Sequence, residues 1–245
     1  MTTARPSMLA DHRRAFAWAL ILLIGSIAAL GLVGRHPAEA APTTTVPFVG
    51  NFDDVVHGWM ETVRNTPTTW VSKALSVIGG GLVTIPLRFA ATFFLAWRRR
   101  WRQVATFLLT WITAEVALAF LKDWFHRGRP TGALVVTEGF SFPSGHAVAA
   151  AATAVALVLA FFPPGERRRR WEELAVVFAF VMAYSRVYLS AHWLSDVVAG
   201  TLLGSGIGVF WAAAVTEIRD VWFKTEGKPI PPDEAEPEPE ELLRG

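Results

Sequence analysis

The sequence contains no cysteine and few charged residues, and each shortage excludes a class of protein. Without cysteine, neither a disulfide framework nor a thiolate metal site is possible. Charged residues make up only 18% of the 245 residues, whereas hydrophobic residues make up 52% and the mean hydropathy is +0.35. This balance is typical of a membrane protein. Any chemistry must come from histidine, carboxylate, lysine, arginine or hydroxyl groups.

Long apolar segments dominate the chain. A helix needs about 20 mostly apolar residues to cross a bilayer. Several of the segments are flanked by tryptophan, which is enriched at membrane interfaces. The pattern predicts an all-α fold, an integral membrane bundle of six transmembrane helices. The six predicted spans are residues 15–34, 70–97, 104–121, 144–162, 171–189 and 193–216.

Lysine and arginine are distributed unevenly between the two sides of these spans. Of the 23 basic residues, 15 fall on one side and 6 on the other, and Lys73 and Arg88 lie within the second span. Basic residues are retained in the cytoplasm. Both termini are therefore predicted to be cytoplasmic in a multi-pass plasma-membrane protein. The arginine runs at 98–102 and 167–170 are explained as topology signals, so no nucleic-acid partner is expected despite the pI of about 9.3.

Three regions follow from this topology. Residues 1–14 are a cytoplasmic N-terminus, residues 15–216 form the membrane domain, and residues 217–245 are an acidic, proline-rich, disordered cytoplasmic tail. The first span has a second interpretation as a signal peptide, with a cleavage site at residues 38–40. A retained helix is favoured because the apolar core of about 20 residues exceeds the usual 7–15.

A short helix is predicted between the first two spans. The sequence Asn-Phe-Asp-Asp at residues 51–54 is typical of a helix N-terminus. The helix is expected to lie on the outer surface, either as a packed loop helix or as a guide for lipid entry. Its apolar face is predicted to comprise Val55, Val56, Trp59, Met60 and Val63.

Three polar clusters lie at the predicted outer ends of the spans. They are KDWFHRGRP at residues 122–130, PSGH at 143–146, and the segment from Ser185 to Asp196. Polar residues at the edge of a membrane have a high burial cost, so they are candidates for function. All three clusters fall on the same face, and the active site is therefore predicted to be extracytoplasmic.

Five of these residues match the needs of a bound phosphate. Ser144 and Gly145 at a helix start offer free backbone N–H groups and the positive end of the helix dipole. Lys122, Arg129 and Arg186 add three cations, which repel one another unless an anion joins them.

Two histidines complete the predicted apparatus. His192 and Asp196 are spaced i, i+4, so the carboxylate is expected to hold one ring N–H and direct the other nitrogen outward. His146 follows the anion site and is placed to donate a proton to a leaving oxygen. One nucleophile and one acid suffice for phosphoryl transfer without a metal or other cofactor.

A metal site is the other chemical option. It is disfavoured because no H-E-x-x-H motif or paired-carboxylate cluster occurs and the three cations would oppose a divalent ion. The candidate ligands for such a site are His126, His146, His192, Asp123 and Asp196.

The three clusters together resemble the type-2 phosphatidic acid phosphatase family, whose soluble relatives include vanadium-dependent haloperoxidases. The family pattern K-x6-R-P, P-S-G-H and S-R-x5-H-x3-D is intact and in order over residues 122–196. The resemblance implies a metal-free lipid phosphatase with His192 as nucleophile, Asp196 as its partner and His146 as acid. It also implies that the phosphate is held by Lys122, Arg129, Ser144, Gly145 and Arg186.

The resemblance leaves several substrates open. Undecaprenyl diphosphate, hydrolysed to undecaprenyl phosphate, is favoured because outer-facing bacterial members often act on it. The alternatives are phosphatidic acid, diacylglycerol pyrophosphate and phosphatidylglycerol phosphate. A transporter is the competing class, but it would spread polar residues through the bundle and show repeat symmetry. The sequence leaves the oligomeric state open.

Two features lie outside the motifs. Arg88 and Glu115 are expected about 15 and 18 Å from the cytoplasmic edge, so the two charges are predicted to pair across neighbouring helices. Gly200 and Gly204 form a small-xxx-small face. This face is predicted to seat the last helix tightly.

Overall fold

The computed structural model describes residues 12–33 and 47–227, and all regular structure in that part of the chain is helical. The residues predicted to form the disordered tail from 228 onward and the cleavage site at 38–40 lie outside the described residues. The helices are α1 (His12–Val33), α2 (Pro47–Thr62), α3 (Thr66–Gly79), α4 (Gly81–Trp97), α5 (Trp101–Phe125), α6 (Gly145–Phe161), α7 (Glu166–Tyr188) and α8 (Leu194–Thr225).

The second predicted span is not one continuous helix. It is divided at Gly80 into α3 and α4, which are bent by 40° relative to each other. Glycine favours such a break because it lacks a side chain and makes the helical conformation costly. A side chain at Gly79 would also meet Met182, since a Cβ there would lie 2.4 Å from the Met182 Cε.

Two helices in the described residues, α5 and α8, are long and apolar enough to cross a membrane, and the bent pair α3–α4 would be a third span. Helix α6 is apolar but only 17 residues long. Helix α7 carries a glutamate and four arginines in its first turns. The membrane-helix architecture is therefore confirmed, whereas the count of six spans stays a prediction.

The last helix extends beyond its predicted end. Helix α8 continues through Thr225, so residues 217–225 are helical and do not belong to a disordered tail. The apolar pattern that predicted the boundary ends near Thr216. The charged residues beyond it continue the helix, with the Arg219 and Asp220 side chains paired at 2.9 Å.

Close packing of α8 on α6 fixes the end of the bundle that carries the polar clusters. A Cβ at Gly204 would lie 2.4 Å from the Val148 carbonyl, and one at Gly200 would lie 2.9 Å from the Ser144 carbonyl. Only glycine permits this approach. The prediction that this face seats α8 tightly is confirmed, and the start of α8 is brought against the start of α6.

The predicted Arg88–Glu115 pair is also confirmed. Arg88 Nη1 on α4 lies 2.6 Å from Glu115 Oε1 on α5. Arg88 Nε donates to Thr153 Oγ1 at 2.9 Å, and the guanidinium lies over the Trp111 ring. The buried cation is therefore both paired and hydrogen-bonded, which offsets its burial cost.

Candidate active site

His192 lies in the link between α7 and α8 and is buried. Its Nδ1 is 2.8 Å from the Ser141 carbonyl oxygen. A carbonyl only accepts hydrogen bonds, so the ring proton is on Nδ1 and Nε2 keeps its lone pair. Nε2 is 3.2 Å from Arg129 Nη1. The imidazole thus presents an unprotonated nitrogen toward a guanidinium.

Asp196 lies beside His192, in the first turn of α8, but not as the i, i+4 spacing predicted. Its Oδ2 is 3.6 Å from His192 Nδ1, farther than the Ser141 carbonyl. The helix begins at Leu194, so His192 precedes it and the two residues do not share a helix face. Asp196 Oδ2 instead accepts hydrogen bonds from Ser141 Oγ and the Trp193 backbone N–H. The carboxylate therefore acts on the ring mainly through its charge and through Ser141.

Burial lowers the pKa of His192 from about 6.5 to about 4. The nearby Asp196 carboxylate opposes this shift, whereas Arg129 and Arg186 add to it. Burial also lowers the pKa of Arg129, and Asp196 again opposes the shift. Near neutral pH, His192 is therefore an uncharged imidazole beside cationic groups, as a nitrogen nucleophile requires.

Two of the predicted phosphate-binding cations are held by backbone carbonyls. Lys122 Nζ donates to the Phe140 carbonyl. Arg129 donates to the carbonyls of residues 138–140 and, at 2.6 Å, to the Ala191 carbonyl. The loop between α5 and α6 thereby holds both side chains, and Arg129 is the one that reaches His192. These carbonyl bonds position the cations without neutralising them.

Ser76 on α3 holds two further predicted residues. Its Oγ accepts a hydrogen bond from Arg186 Nη1 at 2.5 Å, and its carbonyl oxygen lies 3.1 Å from His146 Nε2. His146 lies within electrostatic reach of Arg186, His192 and Arg129. The broken pair α3–α4 therefore contributes to the site, and the sequence motifs gave no signal for Ser76.

Two polar atoms in this region lack a hydrogen-bond partner among the described residues. They are Ser144 Oγ and Arg186 Nε, and both are buried. The Ser144 backbone N–H donates to the Asp196 carbonyl at 3.1 Å, which joins the N-terminus of α6, starting at Gly145, to α8. Buried donors without partners are uncommon. An anion that joins Ser144, at the start of α6, to Arg186 would give both atoms a partner.

Residues outside the motifs complete the surroundings of Asp196. Ser141 contacts both His192 and Asp196, and Arg127 Nη1 donates to Asp196 Oδ1. Arg127 is also paired with Asp53 on α2. The only sequence signal for a role of Arg127 was its position between Lys122 and Arg129. That position is equally typical of a cation at the edge of a membrane. The sequence predicts Asp53 at the N-terminus of its helix, but α2 begins at Pro47 and Asp53 lies inside it.

The residues proposed as metal ligands do not assemble. Within residues 12–33 and 47–227, no group of three His, Asp or Glu side chains is placed to hold a metal ion. His126, one of the candidates, packs against the Phe140 ring with their centroids 4.3 Å apart.

The chain is similar in sequence to characterised phosphatases. The PAP2 superfamily matches residues 103–220. Phosphatidylglycerophosphatase B of Bacillus subtilis is 31% identical over 166 residues, which cover 64% of this chain and 79% of that protein. An undecaprenyl-diphosphatase of Sulfolobus acidocaldarius is 43% identical over 68 residues, which cover 28% of this chain and 30% of that protein.

Solved structures agree with this result. The transmembrane PAP2-type phosphatidylglycerolphosphate phosphatase from Bacillus subtilis superposes with a TM-score of 0.64 at 25% identity, covering 83% of this chain and 96% of that one. Aquifex aeolicus LpxE shares the fold, with a TM-score of 0.55 at 23% identity over 65% of this chain and 94% of that one. The chain belongs to the PAP2 superfamily. It is a membrane lipid phosphatase, a hydrolase acting on phosphate esters.

Proposed function

We propose that this phosphatase hydrolyses its lipid phosphate through a phosphohistidine on His192, without a metal. The observation that carries the proposal is the orientation of the ring. Nδ1 bonds the Ser141 carbonyl and Nε2 faces Arg129 at 3.2 Å. A substrate phosphate that binds Arg129 would therefore lie next to an unprotonated nitrogen.

In the first step, Nε2 attacks phosphorus and the bond from phosphorus to the lipid oxygen breaks. For this step we propose that His146 takes up a second proton when the anionic phosphate binds beside it and gives one proton to that oxygen. The Asp196 carboxylate stabilises the positive charge that forms on His192. In the second step water attacks the phosphohistidine, gives a proton to His146, and phosphate leaves as the electron pair returns to Nε2.

The same cations hold the phosphate in both steps. We assign this role to Lys122, Arg129 and Arg186 together with Ser144 and the backbone N–H groups at Gly145. Fixed donors aimed at the developing charge act strongly where water is excluded. Support comes from Ser144 Oγ and Arg186 Nε, which have no hydrogen-bond partner within residues 12–33 and 47–227.

Undecaprenyl diphosphate is the substrate that we propose first, as the sequence resemblance favours it. The relative with 43% identity over 68 residues is named an undecaprenyl-diphosphatase. Phosphatidylglycerol phosphate is the second candidate, because the relative matched over 166 residues is a phosphatidylglycerophosphatase.

The activity test uses the full chain in detergent with EDTA. Phosphate release is measured from undecaprenyl diphosphate, phosphatidylglycerol phosphate and phosphatidic acid at equal surface concentration. We expect His192→Ala to lose at least about a thousandfold in kcat, whereas His57→Gln, a histidine outside the proposed machinery, stays within about threefold. Acid-labile labelling of His192 by substrate should accompany turnover. Full activity of His192→Ala would rule out the proposed nucleophile.

We also propose that the site faces the extracytoplasmic side and that both termini are cytoplasmic. The absence of native cysteine makes single-cysteine labelling clean. A membrane-impermeant maleimide should label Val136→Cys, in the exposed loop after α5, in intact cells. Arg167→Cys, in the first turn of α7, should react only after permeabilisation. The reverse labelling pattern would contradict the proposed orientation.

A further inference from the structure

A buried ionic chain connects α2 to the carboxylate beside His192. Asp53 Oδ2 lies 2.7 Å from Arg127 Nη2, and Arg127 Nη1 bonds Asp196 Oδ1. The exposed fractions are 2% for Asp53, 2% for Arg127 and 0% for Asp196. A group of three buried charges is costly unless its geometry is tightly satisfied.

The charged side chains of this ionic chain make further hydrogen bonds, and several of these go to Ser195. Asp53 Oδ1 accepts from the Ser195 backbone N–H at 2.9 Å, and Asp53 Oδ2 accepts from Ser195 Oγ at 2.6 Å. Arg127 Nη1 also donates to Ser195 Oγ at 2.7 Å, and its guanidinium lies over the Trp193 ring. Asp53 thus fixes both Arg127 and the first turn of α8.

We infer that Asp53 is a positioning residue for the hydrolytic reaction, acting on His192 through Arg127 and Asp196. Two consequences follow from the geometry. Arg127 bonds Oδ1 of Asp196. The other oxygen, Oδ2, is therefore left to accept from Ser141 and to face the His192 imidazole. Asp53 also shares the charge of Arg127, so more of the negative charge of Asp196 remains available to His192.

A helix that the family motifs do not include thereby contributes to the active site. Asp53 is far from the motifs in sequence, and the same helix α2 exposes Phe52, Val55 and Trp59. A buried carboxylate in such a helix is costly unless it is paired. Asp53 finds its partners in the α5–α6 loop and in α8. Asp53 does not reach the proposed phosphate site, so it should affect the rate of the chemical step and not the binding of phosphate.

The test compares Asp53→Asn with Asp54→Asn in the full-length enzyme in detergent. Asp54 is exposed and adjacent, so its variant changes the same charge without touching Arg127. We expect Asp53→Asn to lower kcat by about ten- to a hundredfold, with KM and the inhibition constant of inorganic phosphate within about twofold of wild type. Asp54→Asn should leave all three constants within about twofold. A purely structural defect would change phosphate inhibition or the fraction of folded enzyme.

A double-mutant cycle tests the route. If Asp53 acts through Arg127, Asp53→Asn should lower kcat by less than about threefold in an Arg127→Gln background, assayed with radiolabelled lipid. If Asp53→Asn fails to fold, Ser195→Ala replaces it, because this variant removes the hydroxyl that Asp53 and Arg127 share. It should lower kcat by about threefold and leave phosphate inhibition unchanged. An unchanged kcat in Asp53→Asn or, if that variant does not fold, in Ser195→Ala would overturn the inference. So would an equal loss in both backgrounds.

The inference rests on the proposed function, and the two fail separately. Retained activity in His192→Ala would remove the nucleophile on which Asp53 is proposed to act. Loss of activity in His192→Ala together with wild-type kcat in Asp53→Asn would leave the proposed function standing and exclude only the role of Asp53.

Discussion

Arg88 and Arg127 are both buried in this bundle, and their surroundings differ. Arg88 pairs with one carboxylate, Glu115, whose side chain is 50% exposed on the side of the bundle. Arg127 is paired with two carboxylates, Asp53 and Asp196, which are both almost completely buried. The first pair lies within the helices, and the second lies where the loop after α5 meets the middle of α2 and the first turn of α8.

The comparison shows that buried arginine–carboxylate pairs can either connect helices or orient a catalytic group. The Arg88 pair connects α4 to α5, and a Thr153 hydroxyl and the Ala149 carbonyl use its remaining donors. No proposed catalytic residue touches it. Arg127 instead determines which oxygen of Asp196 faces His192. Breaking the first pair should change stability, whereas breaking the second should change the reaction.

Arg127→Met should have the largest effect. It leaves two buried carboxylates without their cation and removes the bond that orients Asp196. We expect kcat to fall about a thousandfold, measured as phosphate release from the preferred lipid. Arg127→Lys retains the charge but cannot donate to both carboxylates and Ser195 at once. Its kcat should therefore lie between those of Arg127→Met and wild type. More than a tenth of wild-type activity in Arg127→Met would contradict the comparison.

The titration of His192 provides a second test of the catalytic cluster. With a pKa of about 4, at least about nine-tenths of His192 is neutral at pH 5.5, against about one-tenth for an ordinary value near 6.5. The attacking form should thus be about tenfold more abundant at that pH. NMR titration of ¹³C-labelled histidines measures the titration midpoint of His192, and His192→Asn assigns its signal. A midpoint near pH 6.5 would be inconsistent with the buried neutral ring.

The same depressed pKa has a consequence for stability. Because the unfolded chain binds this proton at about pH 6.5, the unfolded state gains protons first as the pH falls. The contribution of His192 to the free energy of unfolding is complete above about pH 6.5. It declines as the pH falls toward 4.

Glu115→Gln should affect stability more than activity. The variant leaves Arg88 buried with neutral partners only, at a cost of about 2 kcal/mol because Glu115 is half-exposed. We expect the melting temperature to fall by about 5 °C, followed by tryptophan fluorescence, and kcat to stay within about threefold. A hundredfold loss of kcat with unchanged melting would show that this pair belongs to the catalytic apparatus.

Removing both members of that pair should have the smallest effect. In Arg88→Met combined with Glu115→Gln, no buried charge is left unpaired, and the Thr153 hydroxyl can donate to the Ala149 carbonyl one turn earlier in its own helix. The melting temperature is expected within about 2 °C of wild type. A double variant less stable than Glu115→Gln alone would mean that Arg88 stabilises the bundle independently of its carboxylate.

Much of the site could be predicted because its chemistry is local in sequence. The run from Pro143 to His146 predicts a helix start, and α6 does begin there, at Gly145. The basic residues of 122–130 lie at a span end, and antiparallel helices bring such ends together. The direct bond predicted between His192 and Asp196 did not hold: the two groups are 3.6 Å apart, because α8 begins after His192 and i, i+4 geometry does not apply.

Asp53 and Ser76 lay beyond sequence reasoning for a different reason. Each lies on a helix whose local pattern has a simple explanation, a cap for Asp53 and an apolar span for Ser76. Their roles depend on contacts with residues 74 and 70 or more positions away, such as Arg127 and His146. Likewise, hydropathy could not predict the division of the second span at Gly80, next to Gly79, which packs closely against Met182.

The sequence by itself determined the class of the protein, the membrane helices and the residue types of the site, because hydropathy and short motifs are local properties. The Arg88–Glu115 pair also followed from the sequence, because depth along neighbouring helices is a matter of counting residues. Only the tertiary structure decided that the His192 proton is directed to Ser141 and that Arg127 lies between Asp53 and Asp196. Hydrogen bonds require agreement within fractions of an ångström, and that precision arises only when all the helices pack together.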